Sequence, residues 1–60
     1  MIMETLGKLK EMVECLSVDT TKFFEKENKS AGIRARKSAQ EIKALCQEIR
    51  KEILQVSKEQ

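Results

Sequence analysis

The sequence predicts an all-α protein, a two-helix antiparallel hairpin that dimerises into a four-helix bundle. The 60 residues include no proline and only two glycines, and residues with high helix propensity are plentiful. Apolar residues recur at alternating intervals of four and three along most of the chain, which is the period of a helix with one buried face. A chain of this length forms one domain at most, so residues 1–60 are taken as a single helical-hairpin domain.

The first helix is predicted over residues 2–27. Its apolar seam has 4-3-4-3-4-3 spacing, and Met12 and Phe24 widen it into a stripe. Both phenylalanines, Phe23 and Phe24, are assigned to the core. The seam consists of Ile2, Leu6, Leu9, Val13, Leu16, Thr20 and Phe23.

The turn is predicted at about residue 28. Asn28 suits this position because asparagine tolerates the left-handed conformation that ends a helix and also caps the start of the next one. It is a weak helix breaker, so one unbroken helix is the structural alternative.

The second helix is predicted over residues 29–57, with its own 4-3 seam. Ala31, Ser38 and Leu45 broaden that seam. Two helices cannot cover two stripes of this width, and the flanks left open to water predict a homodimer. The seam consists of Ala35, Ala39, Ile42, Cys46, Ile49, Ile53 and Val56.

Charge is distributed unevenly along the chain. Residues 1–28 hold four lysines and six acids, whereas residues 29–60 hold eight lysines or arginines and four acids. On a helical projection the cations of the second helix form a ridge opposite its apolar stripe, and Glu41, Glu48, Glu52 and Glu59 lie beside that stripe. The ridge consists of Lys29, Arg36, Lys37, Lys43, Arg50, Lys51 and Lys58.

Such a ridge suits a polyanion, because lysine and arginine bind phosphates by charge-assisted hydrogen bonds and release counterions. The start of the second helix adds free backbone N–H groups. We expect phosphate contacts from Lys29, Arg34, Arg36, Lys37 and Lys43. The alternative is a basic face that is only solvated, on a non-catalytic coiled-coil interaction or adaptor module.

Other classes of function lack the residues they need. The chain has no His, Trp or Tyr, so no base–nucleophile pair suggests an enzyme, a cofactor or a small-molecule substrate. Cys15 and Cys46 are too few for a structural zinc site and are expected to be reduced thiols. No apolar run is long enough for a membrane span or an export signal, so we expect a cytoplasmic protein.

The segment around the turn resembles the bacterial histone-like protein family of the chlamydial linker-histone type. That family carries the pattern K-x-N-K-x-A-G-x-R-A-R-K between two helices. The matching residues are Lys26, Asn28, Lys29, Ala31, Gly32, Arg34, Ala35, Arg36 and Lys37.

The resemblance implies a small protein that binds duplex DNA without sequence specificity and compacts the bacterial nucleoid. It assigns DNA contacts to Lys29, Arg34, Arg36 and Lys37. Some members add a long Lys/Ala-rich tail, and this sequence reaches Gln60 without one. We therefore expect DNA binding itself, with weaker condensation than a tailed protein would give.

Overall fold

A computed structural model describes residues 2–59, with the side chains of residues 3–58. It contains two helices, α1 (Ile2–Lys26) and α2 (Lys29–Glu59), and no strand within the described residues. Joined end to end, these helices would span about 85 Å at about 1.5 Å per residue. The longest dimension is 50 Å, and α1 packs against α2, so the chain folds back as a hairpin. The all-α, two-helix prediction is confirmed, and the unbroken helix is wrong.

The two residues between the helices divide the roles that the sequence predicted for Asn28 alone. Glu27 takes the left-handed conformation, with a φ of 53°. Asn28 caps α2, because its Oδ1 accepts a hydrogen bond from the Ala31 amide at 3.1 Å. The Asn28 amide also donates to the carbonyl of Lys22 at 3.3 Å, which ties the link to the end of α1. The cap occupies one of the N–H groups that were expected to be free for an anion.

The inner seam of α2 differs from the predicted one. Two 4-3 stripes overlap on this helix and share Ala35, Ile42 and Ile49; the structure places the stripe that contains Ala31, Ser38 and Leu45 against α1. The other four residues of the predicted seam are all exposed: Ala39, Cys46, Ile53 and Val56. The inward-facing residues are Ala31, Ala35, Ser38, Ile42, Leu45, Ile49 and Glu52.

On α1 the inner seam agrees better with the predicted one. The half-buried side chains of this helix are Thr5, Leu6, Leu9, Met12, Leu16, Asp19 and Thr20. Val13, a predicted seam residue, is 48% exposed. The side chain of Ile2, also predicted for the seam, lies outside the described residues.

The core is thin. Among the described residues only Ala31 and Ser38 are buried, and no large side chain is fully buried. The assignment of Phe24 to the core is wrong, since 75% of it is exposed, and Phe23 is itself 40% exposed. Adjacent residues on a helix point about 100° apart, so both rings cannot face one seam.

Phe23 nevertheless makes the large-on-small contact at the turn that the sequence suggests. Its ring lies over Gly32, where a Cβ atom would be 2.5 Å from Phe23 Cδ1 and 2.8 Å from Cε1. The absence of a side chain at Gly32 therefore lets the aromatic ring approach the backbone of α2. Phe24 meets the same ring edge to face, with centroids 5.0 Å apart.

Candidate nucleic-acid interface

Cations on one flank of α2 form a straight row. Lys29, Arg36, Lys43 and Arg50 recur every seven residues and are all exposed. Residues seven apart on a helix drift by only about 20°, so these side chains leave the helix on nearly the same side. We call these four residues the basic column.

Lys37 lies on the outer side of α2, next to the basic column. It borders one shallow surface hollow together with Arg36, Ile33, Gln40 and Glu41. Because this surface faces away from α1, Lys37 and Arg36 are accessible to the same large ligand.

Arg34 lies elsewhere. It is two residues from Arg36, which places it about 200° around the helix. Its Nε and Nη2 atoms lie 3.3 and 3.2 Å from Asp19 Oδ1, in an ion pair that joins α2 to α1. The Arg34 side chain is 51% exposed and that of Asp19 only 13%. The structure thus divides the predicted cations into two groups. One is a row of exposed cations on α2, and the other is Arg34, which is paired with the carboxylate of Asp19.

The acids of α2 lie toward the other flank of the hairpin, although Glu41 also borders the hollow of Arg36 and Lys37, and Glu48 borders one with Lys43 and Lys51. Glu41 and Glu48 line a hollow with Lys8, Glu11 and Met12 of α1. Glu52 is turned into the inner seam, where its Oε2 is buried without a hydrogen-bond partner. Glu59, the last of the predicted acidic group, has a side chain outside the described part of the chain. The basic column itself has no acid within it.

An uncovered apolar strip runs between the basic column and the inner seam. Gly32, Ala39, Cys46 and Ile53 also recur every seven residues; Ala39 and Cys46 are exposed, and Ile53 is 52% exposed. On α1, Thr20 lies beside Gly32 on this side of the hairpin, and Leu6 and Val13 leave the helix on nearly the same side as Thr20 because they precede it by fourteen and seven residues. We call this surface, formed by Leu6, Val13, Thr20, Gly32, Ala39, Cys46 and Ile53, the open face.

The open face ends near the turn in a hollow of about 390 Å³. Phe23, Phe24 and Gly32 form its apolar floor and wall, and Lys29 and Arg36 of the basic column stand at its rim. Thr20, Ile33 and Ala35 complete the lining. The sequence did not reveal this feature, although two consecutive phenylalanines just before a turn are a signal that one ring must leave the seam.

Nothing in the described residues suggests a metal site, since no three potential ligands come together there. No helix of the described part is long and apolar enough to cross a membrane.

Fold and surface define a small helical protein that displays a row of cations along one flank of its second helix. The chain belongs to the family described as histone H1-like protein Hc1, whose model matches residues 3–59. The resemblance noted at the turn is thereby confirmed, and membership implies a DNA-binding nucleoid protein rather than an enzyme. Neither the curated proteins nor the solved structures contain a match.

Proposed function

We propose that this protein binds duplex DNA without sequence specificity and compacts the nucleoid. The contacts are made to backbone phosphates by Lys29, Arg36, Lys37 and Lys43, with Arg34 as a further contact on the other flank. The observation that carries the proposal is the basic column, whose four cations are exposed and in line with no acid among them.

The dimensions of the column suit a duplex. Seven helical residues rise by about 10.5 Å, so the column from Lys29 to Arg50 extends for about 32 Å. One turn of B-DNA is about 34 Å long. The cations are thus spread over a length that holds several phosphates, and each contact releases condensed counterions. Phosphates are the same in every sequence, so binding of this kind does not discriminate between sequences.

Arg34 has a different place in this mechanism. Its ion pair with Asp19 fixes the direction of a guanidinium that is half exposed. A surface pair of this kind contributes about 0–1 kcal/mol to folding, and it offsets part of the positive charge that a phosphate would meet. We therefore rank Arg34 below the basic column as a DNA contact.

Competition between duplexes tests sequence independence. Random, A·T-only and G·C-only duplexes of equal length are expected to compete for the protein within about three-fold of one another, because backbone contacts carry no sequence information. Gel shift or anisotropy provides the measurement. A preference of about a hundred-fold for one sequence would contradict the mechanism. Absence of any binding at physiological salt would favour the alternative, a helical adaptor whose basic face is only solvated.

We further propose that the protein acts as a homodimer, in which two open faces pack together into a four-helix bundle. A single hairpin buries too little to be stable by itself: its only buried residues among those described are Ala31 and Ser38, and chains of this size need additional stabilisation. Pairing the open faces would cover Val13, Ile53 and their neighbours. It would also give one particle two basic columns, which suits the bridging of two DNA segments.

Introducing a charged residue into the open face tests this assembly. Ile53→Glu is expected to convert dimer to monomer at micromolar concentration, because it places a carboxylate in an apolar interface. Leu54→Glu is the matched control, since Leu54 is exposed to a similar degree (58% against 52%) but leaves α2 about 100° away from Ile53. Sedimentation equilibrium measures both. A wild-type protein that is a folded monomer would contradict the proposal.

A further inference from the structure

The hollow at the turn combines two features that phosphate binding alone does not require. Its interior is apolar and partly aromatic, formed by Phe23, Phe24 and Gly32, whereas Lys29 and Arg36 stand at its rim. A site for phosphates needs the cations and not the rings. The rings therefore call for a ligand that carries an apolar, flat group next to negative charge.

Phe24 is placed to meet such a group. It is 75% exposed, and its ring is held edge to face against Phe23 at an interplanar angle of 86°. Phe23 is held in turn by its close contact with Gly32. Phe24 is thus a largely exposed aromatic ring that contacts Phe23.

We propose that the hollow binds an unpaired base of single-stranded nucleic acid, with the base stacked on Phe24 and its flanking phosphates at Lys29 and Arg36. The inference rests on the proposed function, because it uses two cations of the basic column. Bases stack on aromatic side chains in sequence-tolerant single-strand binding. A paired base inside a duplex cannot enter a concave site, so the hollow adds affinity for unpaired nucleotides only.

The charge beside the hollow suits nucleic acid, because Lys29 and Arg36 line it. A strand of nucleic acid brings the opposite charge on both sides of each base. The rest of the open face, around Val13 and Ile53, remains available for dimerisation.

Binding of oligothymidylate tests the inference when compared with an abasic strand of the same length, which keeps the phosphates and lacks the bases. The wild-type protein is expected to bind oligothymidylate about ten-fold tighter than the abasic strand, and Phe24→Ala to remove that difference. The affinity of the Phe24→Ala variant for duplex DNA is expected to stay within about two-fold of wild type, because duplex binding uses phosphates alone. Oligouridylate in the same assay shows whether the site takes RNA as well as DNA.

Met3→Ala is the matched control. Met3 is also an apolar residue of α1, 73% exposed, at the opposite end of the hairpin. It is expected to leave all three affinities unchanged. Both substitutions remove exposed side chains, so neither is expected to unfold the protein. Circular dichroism of each variant checks that the helices are retained.

Several outcomes would overturn the inference. Equal affinity of the wild-type protein for oligothymidylate and the abasic strand, with normal duplex binding, would reject the base site and leave the proposed function intact. Loss of dimerisation in Phe24→Ala would assign the hollow to the second copy. Failure of the wild-type protein to bind duplex DNA would reject the proposed function, and the inference with it.

Discussion

Replacing Lys29, Arg36 and Lys43 together with glutamine is expected to lower the affinity for random-sequence duplex DNA by at least about a hundred-fold at low salt. These residues supply three exposed cations of the basic column in each protomer. In a dimer that is six phosphate contacts, and their loss makes the log–log salt dependence shallower by about five. Anisotropy titrations at several salt concentrations measure both quantities.

A second triple variant separates position from net charge. Lys8, Lys10 and Lys22 are exposed lysines of α1, and their replacement with glutamine removes the same charge from outside the basic column. That variant is expected to keep a salt dependence close to wild type. Equal losses in the two triple variants would show that overall charge, rather than the column, drives binding. Helix content, measured by circular dichroism, should be the same in all three proteins.

Gly32→Ala is expected to destabilise the hairpin by up to about 2 kcal/mol. A Cβ atom there would lie 2.5 Å from the Phe23 ring, and overpacking of this kind costs about 1–3 kcal/mol. Alanine's better helix propensity returns about 1 kcal/mol of that cost. A core of this size supplies only about 3–5 kcal/mol in total, so the loss is large. Urea unfolding followed by circular dichroism measures it.

Gly7→Ala is expected to change the stability of the hairpin in the opposite direction. No atom lies within 4 Å of a Cβ built at Gly7, so the substitution is expected to stabilise α1 by about 0.5–1 kcal/mol through propensity alone. Phe23→Leu in the Gly32→Ala background should recover part of the lost stability by opening the contact. Equal stabilisation by both alanines would mean that the Phe23 ring moves aside without cost, and that Gly32 has no special packing role.

The helices themselves followed from the sequence, because helix propensity and a 4-3 apolar period are local properties. The turn followed only in part. Asn28 was identified as a cap, but the left-handed residue is Glu27, and glutamate carries no local signal for that conformation. The link's geometry depends on how α1 and α2 pack, which the sequence near the turn does not determine.

The choice of seam on α2 was not predictable for a related reason. Overlapping stripes share Ala35, Ile42 and Ile49, and a rotation of the helix exchanges one stripe for the other. Periodicity is satisfied equally by both. The structure places Ala31 and Ser38 inside and leaves Ala39 and Cys46 exposed.

The sequence identified the cations of the candidate site, but it did not determine how they are arranged on the folded surface. Seven-residue spacing identifies Lys29, Arg36 and Lys43 as neighbours on one flank. Arg34 belongs to the same sequence motif, yet its partner, Asp19, lies fifteen residues earlier in the chain. That ion pair depends on the register of α1 against α2, which sequence periodicity leaves open.

The salt dependence of binding of the wild-type protein to random-sequence duplex DNA tests the central claim most directly. About four or five phosphate contacts in each protomer of a dimer predict a log–log slope of roughly −7 to −9. A slope of about −1 to −2 would mean that only one or two phosphates are neutralised. That result would contradict binding through the basic column.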